Sequence, residues 1–112
     1  MQDVPDGVSA AVYDAIFAAL THPTRRQILV TLYFEGGTMA AGDIARMFEH
    51  AWPTISRHLL VLEEAGLVTT ERHGRNRTYR LAPRRIELAV SWLSWFSQPA
   101  HPDRRPQEDT HD

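Results

Sequence analysis

Along the first half of the chain, apolar residues return every three or four positions, the period of helices with one buried face. Val8, Ala11, Val12, Ala15, Ile16, Ala19 and Leu20 form one such stripe, with Tyr13 and Phe17 as a smaller one beside it. One stripe can face the core; the other needs a partner surface. His22-Pro23 breaks the pattern, and proline suits the first turn of a new helix. A second helix is predicted from about Thr24 to Glu35, with Ile28, Leu29, Leu32 and Tyr33 inward and Gly36-Gly37 ending it. A short third helix, about Ala41 to Phe48, carries Ile44, Ala45 and Phe48 on one side. A fourth starts at Trp52 or Pro53 and runs to Ala65, its inward positions being Ile55, Leu59, Leu62 and Ala65. Gly66 offers the left-handed stop that helix ends favour.

After Gly66 the period changes. Leu67 to His73 and Asn76 to Leu81 alternate as strands do, and Gly74-Arg75 between them suits a two-residue type II′ hairpin. Pro83 opens a last helix, about residues 84–97, with two apolar stripes. Ile86, Ala89, Val90, Leu93 and Phe96 make one face, assigned to the domain's own core, and Leu88, Trp92 and Trp95 make the other. The expected architecture is mainly α with a β-hairpin wing, in the order α-α-α-α-β-β-α. It comprises an N-terminal arm (1–7), one folded domain (8–98) and a tail (99–112) with three prolines and six charged residues, expected to be disordered. No internal repeat is present.

A chain of 112 residues is one domain's worth of material. No apolar run approaches the length of a membrane span, and the N-terminal MQDVPDGVSA lacks the features of a secretory leader, so a cytoplasmic protein is expected. With no cysteine there is no disulfide, thiolate metal site or thiol switch. No catalytic motif is found, no enzyme is expected, and Ser56 and His58, two apart on a helix, point in different directions.

The net charge of −2 argues weakly against a nucleic-acid partner, but its distribution argues for one. Residues 1–56 hold three Arg against six acids, and residues 57–98 hold seven Arg against four. Six of those Arg (72, 75, 77, 80, 84 and 85) fall within 72–85, which contains no acid. A basic patch on an acidic body is what a small DNA-binding face requires, although a solvated charged hairpin would read the same way. Two short helices joined by a tight turn and followed by a basic hairpin suit that task. The second helix fits the major groove, and the hairpin lies along the phosphates. Thr54, Ser56, Arg57 and His58 lie near the N-terminus of that helix. Arg57 and Thr54 are the first candidates for base contacts. Arg72, Arg75 and Arg77 are candidates for phosphate or minor-groove contacts. Arg25 and Arg26 can be read either as phosphate contacts or as partners of nearby acids.

The runs 21-THPTRRQIL-29, 39-MAAGDIARMF-48, 54-TISRHLLVLEEAGLV-68 and 72-RHGRNRTYRL-81 resemble the ArsR/SmtB family of bacterial winged-helix repressors. The resemblance covers roughly residues 10–97. It implies a homodimer formed by the first and last helices, repression of a nearby gene at double-stranded operator DNA, and release by some signal. Control of its own operon is one form such repression takes. The expected dimer contact is the second stripe of the last helix, Leu88, Trp92 and Trp95, together with Tyr13 and Phe17. The resemblance gives His58 a structural or phosphate-contacting role, and Leu60 departs from it, a polar or basic residue being common there. The family's metal sites do not carry over. The third helix has Ala41-Gly42-Asp43 where thiol sensors have cysteines, and Glu87 is the sole His or carboxylate between Ile86 and Ser97. His101 and His111 stand in the tail. No metal or other cofactor is expected, and the effector is left open. Two rival readings remain: a winged-helix module that binds protein, and a repressor gated by an apolar small molecule at the dimer interface.

Overall fold

The computed structural model describes residues 8–99. The predicted arm 1–7 and tail residues 100–112 lie outside the described residues. The elements are α1 (Ala10–Ala19), α2 (Pro23–Phe34), β1 (Thr38–Ala40), α3 (Ala41–Met47), α4 (Trp52–Glu64), β2 (Val68–His73), β3 (Asn76–Leu81) and α5 (Pro83–Ser94), closed by a 3-10 turn (Trp95–Ser97). Prolines occupy the first turns of α2, α4 and α5, where a missing N–H costs nothing. Among the described residues no helix is long and apolar enough to cross a membrane.

Two helices stop by the same chemistry. At the end of α4 the Gly66 N–H bonds the Glu63 carbonyl, and the Leu67 N–H bonds that of Leu62. Gly36 and Gly37 repeat the arrangement on Tyr33 and Leu32 at the end of α2. These are Schellman closures, which need a left-handed residue just past the helix. Gly66 takes φ +78°, and a Cβ there would stand 2.8 Å from Arg85 Cγ. Arg85 approaches so closely because its Nη1 donates to the Ala65 carbonyl, the exposed end of α4 (3.2 Å).

The inward stripes of α1, α2 and α4 meet around Ile16, Ile28, Leu32, Ile55, Leu59 and Leu62, all fully buried. Met39, Ile44, Leu67, Val68, Tyr79 and Ala89 close the core from β1, α3, the sheet and α5. The hairpin has the predicted loop. His73 pairs with Asn76, leaving Gly74-Arg75 between the strands, with Gly74 at φ +64°. No non-glycine residue among those described has positive φ, so Arg75 does not, and the turn is type II′ rather than I′.

Three expectations are corrected. The hairpin is part of a three-stranded antiparallel sheet ordered β1-β3-β2, because Thr38–Ala40 pairs with Arg80–Thr78 along the second edge of β3. Tyr33, expected inward, is 68% exposed. The chain turns back onto Leu32 through the Gly37 N–H, and α2 ends before anything covers Tyr33. On α5 the expected faces are largely exchanged. Ile86 and Ala89 do pack on the core, but so does Leu88, while Val90, Leu93 and Phe96 are 58%, 55% and 61% exposed. Trp92 meets Phe17 of α1 edge-on, ring centroids 5.5 Å apart, and this contact turns the Leu88–Trp92 side inward. Tyr13 is buried, and Phe17, Leu88, Trp92 and Trp95 are half-buried within the single chain.

Candidate nucleic-acid interface

Strand alternation sets the wing's chemistry. Val68, Thr70 and Arg72 of β2 share one face with Leu81, Tyr79 and Arg77 of β3, and the burial of Val68 and Tyr79 makes it the inward face. Arg72 and Arg77 continue this face beyond the core and stand directly opposite each other. Like charges so placed repel, and neither Arg has an acidic partner among the described residues. An anion between or beside them relieves that repulsion. The root of the wing is tied to α4 by the Thr70 hydroxyl, which donates to Glu63 Oε2 at 3.2 Å. On the other face Glu71 pairs with His73 at 3.5 Å.

Between this wing and the helix pair lies a groove of about 520 Å³. One side is Arg72, Arg75, Asn76, Arg77 and Tyr79; the other is Ala40, Ala41, Gly42 and Ala45, with Trp52 and Ser56 of α4. The structure therefore brings Ser56, Arg72, Arg75 and Arg77 together. Arg57 is exposed and Thr54 half-buried on α4, but neither lines this groove. Trp52 and Asn76 do line it and were not singled out from the sequence. The available signal was spacing, since Trp52 and Ser56 stand at i and i+4 and so share a helix face. Leu60 is 50% exposed. The six-arginine run is divided. Arg72, Arg75 and Arg77 face the groove, Arg80 lies on the outward-facing register of β3, Arg84 is exposed, and Arg85 closes α4.

His58 lies outside the groove lining, at a joint between helices. Its ring lies 4.3 Å from that of His22, and Arg25 Nη1 stands 3.3 Å from its Nδ1. A guanidinium only donates, so Nδ1 accepts and the neutral ring keeps its proton on Nε2. His22 is held likewise: its Nδ1 accepts the Thr24 N–H at the start of α2 (3.1 Å). Arg25 and Arg26 resolve their two readings in a third way. Arg25 Nε donates to the Ala19 carbonyl and Arg26 Nη1 to that of Leu20, both at 2.8 Å. They close the negative end of α1 and thereby fix α1, α2 and α4 at one joint.

Burial lowers the His58 pKa below its ordinary value, and His22, Arg25, His50 and Arg57 lower it further. A histidine held neutral in the fold stabilises fully above the unfolded value of 6.5. That stability is lost as pH falls below 6.5 toward the folded value, because the unfolded chain takes the proton first. Urea unfolding at pH 7.5 and 5.5 should show wild type losing more stability on acidification than His58→Gln. Equal losses would remove His58 as the titrating group.

A helix pair followed by a basic two-stranded wing, with a helix face and three arginines opening on one groove, defines a winged helix-turn-helix regulator. Residues 22–70 match the family described as bacterial regulatory protein, arsR family. The chain is 38% identical over 81 residues to the transcriptional repressor SdpR of Bacillus subtilis, covering 72% of this chain and 88% of that one. It is 37% identical over 68 residues to the arsenical resistance operon repressor of Escherichia coli, covering 61% and 57%. Among solved structures, an ArsR family transcriptional regulator superposes with a TM-score of 0.71 at 29% identity, over 82% of this chain and 98% of that one. The repressor BigR from Xylella fastidiosa superposes at 0.59 and 26% identity, over 82% and 91%. The chain belongs to the ArsR family and is a DNA-binding transcriptional repressor.

Proposed function

We propose that the chain acts as a homodimer on an imperfect palindrome in the cytoplasm, each α4 entering a major groove while the wing lies along the phosphates. The observation that carries this is the groove joining Ser56 of α4 to Arg72, Arg75 and Arg77 of the wing. With twofold symmetry, half-sites fall about one helical turn apart, ~34–36 Å. The dimer contact follows the α5 geometry. Val90, Leu93 and Phe96 form an exposed apolar ridge, the kind of surface that marks a contact site. The Tyr13 hydroxyl beside it is buried and makes no hydrogen bond among the described residues. A second copy against α1 and α5 would cover the ridge and offer that hydroxyl a partner. Nothing in the site asks for catalysis, and no effector that ligates through a thiolate fits this cysteine-free sequence.

Arg57 is the test of base reading by α4. Exposed one residue beyond Ser56, it is free to reach a guanine edge. Arg57→Ala should cut the preference for operator over scrambled duplex by about 1–3 kcal/mol. Unchanged preference would remove Arg57 from the reading set. A second reading, gating by a small molecule, has one observation in its favour. Ala10, Tyr13, Asp14, Phe17, Trp92 and Leu93 line a mainly apolar groove between α1 and α5. Ligand-dependent tryptophan fluorescence that tracks DNA release would support it.

A further inference from the structure

The two walls of the groove differ in kind. The wing side carries three guanidinium groups and suits phosphate. The facing side carries no charge: Ala40, Ala41, Gly42 and Ala45 are small, and above them stands Trp52, an indole left 38% exposed. A polyanion gives such a wall nothing to bury. The apolar group that duplex DNA does present in its major groove is the thymine 5-methyl.

Trp52 is the first residue of α4, and Ser56 follows it by four. They therefore share a helix face, about 6 Å apart along the axis. That is close to two base-pair steps of about 3.4 Å. A helix laid in the groove would present the hydroxyl and the indole to neighbouring base pairs on one edge of the duplex. The small residues behind leave room for a methyl group beside the ring.

We propose that Trp52 is a specificity-determining residue, selecting thymine by packing its indole on the 5-methyl group within a base pair or two of the Ser56 contact. This rests on α4 being the reading helix, and it adds what kind of base the operator must hold there. Phosphate is left to Arg72, Arg75 and Arg77.

The test uses the full chain and duplexes it selects from a randomised pool, each rebuilt with deoxyuridine in place of one thymine at a time. Deoxyuridine pairs as thymine does and lacks only the methyl. With wild type, one or two positions per half-site should lose about three- to fivefold in affinity, the worth of one buried methyl. With Trp52→Ala those positions should become insensitive, while Trp52→Phe, which keeps an apolar ring, should retain most of the penalty. A merely structural role for Trp52 would weaken all duplexes together and leave the uracil profile unchanged. The same profile in wild type and Trp52→Ala, or no uracil penalty anywhere, overturns the proposal. Failure to select any sequence overturns both it and the reading of α4; selection without a Trp52-dependent penalty overturns this inference alone.

Discussion

Replacing Arg72 and Arg77 together with alanine should leave the fold intact and weaken binding to every duplex by on the order of 100-fold at moderate salt, about 3 kcal/mol. The fold should survive because both side chains are exposed and their mutual placement, directly across β2 and β3, is repulsive. Thermal stability should hold or rise slightly. Binding should suffer because the pair is the cationic end of the wing's inward face, beside Ser56 in one groove. Each phosphate that is no longer neutralised takes about 0.9 off the slope of log K against log salt. Two arginines on each of two protomers should flatten that slope by about 3–4. Sequence preference should stay, since phosphates carry none. Titration of operator and scrambled duplexes across a salt series reads all three quantities. An unchanged slope would move the phosphate-binding groups off this face.

Leu93→Glu should convert the protein from dimer to monomer, and operator affinity should fall by on the order of 10²–10³-fold as the two half-sites lose their linkage. Leu93 lies mid-ridge, between Val90 and Phe96, and its 55% exposure leaves the single chain with little packing to lose. In a twofold contact the same patch serves both copies, so each carboxylate would lose its water without gaining a partner. Sedimentation velocity separates the two states, and circular dichroism checks that the monomer is folded. A Leu93→Glu protein that stays dimeric would put the contact on another face.

Much of this was legible because it is written in local chemistry. Proline at the starts of α2, α4 and α5, glycine at the ends of α2 and α4, and a Gly-Arg loop between alternating strands each act within a few residues. Ser56, Arg72, Arg75 and Arg77 followed from the same signals, a helix start and a period of two. The misses lie where distant segments decide. Thr38-Met39-Ala40 is a strand because β3 has an edge to offer it. Arg25 and Arg26 fold back to close a helix that ended before them, and His58 finds His22 thirty-six residues earlier in the chain. On α5 two apolar stripes of similar size competed, and the Phe17–Trp92 contact between helices chose one. Trp52 carries no functional signal of its own in the sequence, since a tryptophan at a helix start equally suits packing. Its place in the groove depends on the wing, some twenty residues on.

Specific operator binding is tested most directly by equilibrium binding of the full chain to the DNA upstream of its own operon, with a scrambled duplex alongside, over a range of salt. A dimeric winged-helix repressor should show a clear preference for the native sequence, two protomers per site, and affinity that falls steeply as salt rises for both duplexes. Equal affinity for native and scrambled DNA, with little dependence on salt, would contradict specific operator binding and turn the groove toward a protein partner.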